Sequence, residues 1–162
     1  MKNWIRRTVL IVTGVTAMAA VASPAGAAGN TQISGSAVFD ANGDCTEIPS
    51  LFTIKMSGDL VGCWYTTAYD VVQETPSGVY MERGTETFVG CLADGTTCGT
   101  FSTTYKFTAK FAPSGAEIHG RCQHPIVAGS GTGDFEGISG RVDFKDDVTN
   151  GVYYYRGHFK LN

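Results

Sequence analysis

Positive charge is scarce in this chain once its first residues are set aside. Twelve of the 162 residues are Lys or Arg and fifteen are Asp or Glu, and Lys2, Arg6 and Arg7 account for three of the twelve. Residues 29–162 therefore hold nine cations against fifteen anions, a net charge of −6 with neutral histidines. Such a domain lacks the basic footprint of a nucleic-acid binder, and anionic lipid surfaces are disfavoured for the same reason. No Cys-x-x-Cys pair is present, which weakens zinc and thioredoxin-type readings. No segment after the opening residues carries the apolar stripe of a helix, and no linker, charge run or repeat divides the chain. Histidines number three; His119 and His124, five apart, fall on opposite faces of a regular strand and cannot share a metal without a bulge. No metal or cofactor is expected.

The opening residues set the compartment. Lys2, Arg6 and Arg7 precede an uncharged, mostly apolar run from Thr8 to Ala22, and Ala25 and Ala27 then supply the small residues of a cleavage site. This is the pattern of a secretory signal peptide over residues 1–28. The run is too short and too rich in Gly, Thr and Ala for a membrane span of about 20 residues. The expectation is a secreted protein with no membrane contact after cleavage, residues 29–162 forming one domain.

Five cysteines, Cys45, Cys63, Cys91, Cys98 and Cys122, remain after that cut. In an oxidising compartment they read as disulfides. Cys91 and Cys98 flank the turn signal Asp94-Gly95, so a hairpin brings their sulfurs together. Cys45–Cys63 is the second expected bridge. Cys122 is then left over, and it reads as a buried, inert thiol.

What the chain has in abundance is two-residue alternation. In "FSTTYKFTAKF", Phe101, Thr103, Tyr105, Phe107, Ala109 and Phe111 share one face, with Lys106 and Lys110 on the other. Ile54 and Met56 alternate with Thr53 and Lys55, Val142 and Phe144 with Arg141 and Lys145, and Tyr153, Tyr155, Phe159 and Leu161 with Arg156, His158 and Lys160. Further strands are expected at 32–39, 60–72, 79–89 and 116–127, separated by turn signals such as Asn42-Gly43, Pro76-Ser77-Gly78 and Asn150-Gly151. About eight strands in short antiparallel connections predict an all-β fold, a closed antiparallel eight-stranded barrel in preference to a sandwich.

Two motifs invite a misreading. "DANGD", Asp40 to Asp44, matches the first three ligand positions of an EF-hand loop, but the sixth position is Cys45 and the twelfth Leu51, so it reads as a turn. "GSGTGDFEGISGRVDF", Gly129 to Phe144, resembles a phosphate-binding loop only superficially. Its third glycine arrives one place late, no helix follows, and Asp134 and Glu136 sit where a phosphate would lie. Its glycines suit the sharp corner of a curved sheet, with Phe135 and Ile138 as apolar anchors.

That corner, with its Gly-x-Gly-x-Phe-x-Gly-x-x-Gly spacing, resembles proteins of the allene oxide cyclase type of barrel, an architecture that plant dirigent proteins share. A closer resemblance is to a family of small bacterial barrel proteins of unassigned function. It runs through "MSGDLVG" (Met56–Gly62), "YMERGTETFVG" (Tyr80–Gly90) and "GTFSTTYKFTAKF" (Gly99–Phe111) into the glycine corner. Export and five cysteines set this chain apart from that family. The resemblance implies the barrel, and it leaves dimers and trimers equally open.

Strand parity supplies the candidate site. Tyr80, Glu82, Gly84, Glu86 and Phe88 share a face, so if Tyr80 and Phe88 point inward, Glu82 enters the lumen and Glu86 can follow it. In cyclases of this barrel type an interior glutamate steers a reactive epoxide without a cofactor, and Glu82 in "YMER" is the matching candidate for catalysis. The alternative is a surface Glu82 paired with Arg83, Arg121 or Lys106. Trp64, Tyr80, Tyr105, Phe107, Tyr153 and Tyr155 are the candidate ligand-binding walls, plain core packing being their other reading. Cys122 and His124 share a face, which leaves a thiol–imidazole pair geometrically open. Two functions follow: a cofactor-free cyclase or isomerase acting on a small apolar substrate, or a non-catalytic barrel that binds an apolar ligand or contacts another protein.

Overall fold

The computed structural model describes residues 29–161; the expected signal peptide and its cleavage site lie outside the described residues. Nine strands are present: β1 (Thr31–Phe39), β2 (Phe52–Gly58), β3 (Leu60–Glu74), β4 (Val79–Leu92), β5 (Cys98–Phe111), β6 (Glu117–Pro125), β7 (Thr132–Gly133), β8 (Ser139–Asp147) and β9 (Val152–Lys160). Eight of them close into an antiparallel barrel in the order β1-β2-β3-β4-β5-β6-β8-β9, with β9 returning to β1. The two-residue β7 lies outside the ring and pairs with the start of β5 at Gly99 and Thr100.

The alternation read from the sequence is the alternation of burial. Phe101, Thr103, Tyr105 and Ala109 are buried, while Thr104, Lys106 and Thr108 are exposed. Outward positions across β5, β6, β8 and β9 include Lys106, Arg121, Lys145 and Arg156, all exposed. Among the described residues no helix is long and apolar enough to cross a membrane.

The two ends of the barrel differ. At one end the 126–138 corner carries Phe135 and Ile138 into the interior, where both are fully buried. Phe135 packs edge-on against Phe101, with ring centroids 5.5 Å apart, and Phe101 lies 5.1 Å from Phe88. The corner needs its glycine here: a Cβ on Gly131 would lie 1.8 Å from the Phe135 carbonyl oxygen. Leu60, Val142 and Phe159 complete this packed floor. Tyr155 braces it, its hydroxyl accepting from Leu60 N at 2.8 Å and donating to Ser57 O at 3.1 Å. At the other end lie the longer 40–51 loop and the 75–78, 112–116 and 148–151 turns, and this end stays open.

Both expected disulfides form. Cys91 and Cys98 are cross-strand partners joined across the β4–β5 hairpin. The Asp94 carboxylate holds that turn by accepting from the N–H groups of Thr96 and Thr97, which lowers its pKa to about 2. Cys45–Cys63 pins the 40–51 loop against the outside of β3. Tyr65 is buried beneath that loop and donates to Glu47. Burial, and then this hydrogen bond, raise the Tyr65 pKa to about 12. In "DANGD", Asp40 accepts from Asp44 N and Cys45 N, and Asp44 pairs with Lys55 at 2.6 Å, so its carboxylates tie down a turn. Two disulfides suit an oxidising, extracellular-type environment.

Candidate functional site

The open end leads into a cup of about 350 Å³ lined by residues from β2, β3, β4, β5, β6, β8 and β9. Its walls include Trp64, Phe107, Phe144 and Tyr153, and its rim is apolar: Leu51 is 65%, Phe52 40% and Tyr69 52% exposed. Four carboxyl groups enter the cup, Glu82, Glu86, Glu117 and Asp146, together with His124 and Cys122. Among the described residues no lysine or arginine lines it.

Glu86 is the deepest of these groups. At 7% exposure it can remain only if its oxygens are satisfied. Thr66 Oγ1 donates to Oε1 at 2.8 Å, and Trp64 Nε1 donates to Oε2. His124 Nε2 lies 2.8 Å from the same Oε2, while His124 Nδ1 meets the Val142 carbonyl oxygen at 3.1 Å. A carbonyl only accepts, so Nδ1 carries a hydrogen, and the Nε2–Oε2 contact is bridged by one more proton. The imidazole is itself boxed in: Tyr105 stacks on it at 5.8 Å, and Trp64 and Phe144 meet it edge-on at 5.4 and 5.0 Å.

Glu82 sits higher in the cup and is held by two phenols. Tyr105 Oη donates to its Oε1 at 2.6 Å and Tyr80 Oη to its Oε2 at 2.5 Å. Burial and then the Glu82 hydrogen bond push both tyrosine pKa values well above the ordinary phenol value. Glu82 makes no ion pair among the described residues; Arg83 turns outward to Asp70, at 3.5 Å.

No protein-family model matches the chain, and no curated protein matches it.

Glu117 and Asp146 form a second acidic pair nearer the mouth. Gly120 makes the space for it, since a Cβ there would lie 2.3 Å from Asp146 Oδ2 and 2.4 Å from Glu117 Oε1. Burial first, then the hydrogen bond and charge of Glu117, raise the Asp146 pKa to about 7. Two carboxyl groups in contact cannot both ionise freely, so the pair shares a proton near neutral pH. Glu117 Oε1 is buried and receives no hydrogen bond from an N–H or hydroxyl group among the described residues, which leaves it to the proton shared with Asp146.

Of the residues singled out from the sequence, Glu82, Trp64, Tyr105, Phe107 and Tyr153 meet in the cup. Tyr80 stands behind Glu82 and contributes its hydroxyl. Tyr155 is not part of the lining; it belongs to the packed floor. The thiol–imidazole pair does not form, because both His124 nitrogens are engaged elsewhere and Cys122 is buried with its thiol pKa raised, chiefly by desolvation.

Sequence reading missed Glu117 and Asp146. Asp146 continues the Val142–Phe144 face by one more alternation and was within reach of the parity argument. Glu117 was not. The β5–β6 register slips between Lys110 and Phe111, whose partners are His119 and Glu117, so Ile118 is bulged out and Glu117 takes the inward place.

Proposed function

We propose that the cup binds a small, largely apolar molecule and rearranges it by acid–base chemistry, as a cofactor-free cyclase or isomerase. The observation that carries this reading is the placement of two kinds of carboxyl group in one small aromatic cup. The Glu117–Asp146 pair holds a transferable proton near neutral pH, and Glu82 is a carboxylate held in place by two tyrosines. The pair protonates the ligand at one atom, Glu82 stabilises the positive charge that develops, and the emptied pair accepts a proton from a second atom. Atoms and charge are conserved, and no redox partner is needed. The glycine-corner resemblance to allene oxide cyclase-type barrels agrees with this reading, and the two disulfides agree with export through an N-terminal signal peptide.

The apolar rim supports a second reading, a carrier or a protein-contact surface. One experiment separates them. The protein is collected from its host's medium and examined by native mass spectrometry before and after denaturation, and the released molecule is incubated with fresh protein. Conversion to an isomer of unchanged mass, lost in Asp146→Asn, supports catalysis. A molecule released and recovered unaltered supports a carrier, and a bare chain argues against a tight carrier and leaves a fast-releasing enzyme or the protein-contact role.

A further inference from the structure

The charge inside the cup is one-sided. The four carboxyl groups draw on three local supplies of protons. Glu86 shares one with His124, Glu117 and Asp146 share one between them, and Glu82 receives hydrogen bonds from neutral phenols only. The lining is therefore acidic, four carboxyl groups against one imidazole, and among the described residues no Lys or Arg is part of it. Lys106, Arg121, Arg156 and Lys160 lie on outward strand positions and make no ion pair with the cup.

Three further features constrain what meets that charge. The walls are aromatic, and Trp, Tyr and Phe ring faces attract a cation within about 6 Å. Glu117 Oε1 is buried and, among the described residues, has no donor besides the proton shared with Asp146, a place that an N–H group of a guest can take. The volume, about 350 Å³, lies at the low end for ligand pockets, which limits the guest to a small molecule.

We propose that the ligand of the cup is a small protonated amine: an ammonium group seated between Glu82 and the Glu117–Asp146 pair, on an aromatic or alicyclic body that fills the space against Trp64 and Phe107. This rests on the reading that the cup is a ligand site and names the chemistry of its guest. An anion is repelled by the lining. A neutral alcohol satisfies Glu117 without meeting the charge, and a quaternary ammonium meets the charge but offers no N–H to Glu117.

The test uses the full chain with its disulfides intact and a panel of phenyl, cyclohexyl and indolyl bodies. Each body is presented as the ethylamine, its N,N,N-trimethyl derivative, the ethanol and the acetate, and binding is read by titration calorimetry and Trp64 fluorescence. The amine of the best-fitting body is expected to bind at least about tenfold more tightly than the matching alcohol, as one charge-assisted hydrogen bond allows. The trimethyl form falls between them, and the carboxylate does not bind. Glu82→Gln and Glu117→Gln each lower amine affinity by about tenfold while leaving alcohol affinity within about twofold. Circular dichroism confirms that both variants fold.

An alcohol or carboxylate that binds as well as its amine overturns the proposal and leaves the cup standing as a ligand site. Equal loss of amine and alcohol affinity in the Gln variants overturns it as well, because shape and not charge would then set the affinity. Failure of every body in every form overturns both the amine proposal and the cup reading beneath it.

Discussion

The Glu86–His124 contact makes a quantitative demand on the fold. Replacing His124 by Leu removes one partner of a buried carboxylate but leaves it the Trp64 and Thr66 donors, a loss of roughly 2–3 kcal/mol. Replacing Glu86 by Leu strands three buried donors at once, including the imidazole at 2% exposure, and costs roughly 4 kcal/mol or more. In the double variant only the Trp64 N–H and the Thr66 hydroxyl are left bare, for about 3 kcal/mol in total. The double variant should therefore be more stable than the sum of the singles predicts, by about 3 kcal/mol. The assay is urea unfolding at neutral pH without reductant, followed by fluorescence. Of the two tryptophans, Trp64 lies in the network itself and Trp4 lies outside the described residues. Singles that add to within about 0.5 kcal/mol would refute the reasoning, for then the two side chains share a cavity and not a proton.

Two further outcomes follow from the electrostatics and the cross-links. The Asp146 carboxyl is raised from 3.8 to about 7 in the fold, so the stability it contributes is complete below 3.8 and is lost as pH rises through 7. Asp146→Asn should flatten that decline and leave the variant about 1–2 kcal/mol more stable than the parent at mildly alkaline pH, after discounting for solvent screening; an unchanged pH profile in calorimetric melts would refute the assignment. Removing the Cys45–Cys63 bridge as a Cys45→Ala, Cys63→Ala pair frees a loop whose ends are 18 residues apart, and should cost about 3 kcal/mol. In an alkaline absorbance titration of that variant, the Tyr65 phenol should shift from about 12 back toward 10, and a Tyr65 titration that stays put would show that the loop holds without its cross-link.

The fold was legible because a barrel is written in local alternation. The eight ring strands each carry a two-residue period, and an Asp-Gly turn between two cysteines fixes a hairpin and a bridge together. The site was legible only in part, because a lumen collects side chains from strands distant in sequence. Parity let Glu86 follow Glu82 inward and put His124 on one face with Cys122, but gave no sign that Glu86 and His124 meet across the barrel, 38 positions apart. The Glu117 bulge depends on how β5 and β6 register, which neither strand encodes alone. β7, two residues long, is too short to show any period.

The sealed floor made by Phe135 and Ile138 has a kinetic consequence. A vessel with one opening cannot be emptied from behind, so an incoming molecule cannot push out the one already seated. Exchange has to be sequential: the occupant leaves, and the next enters by the same mouth. For any guest of the cup, the replacement rate should then stay constant as competitor concentration rises. Whatever covers Leu51, Phe52 and Tyr69 would govern entry and departure together.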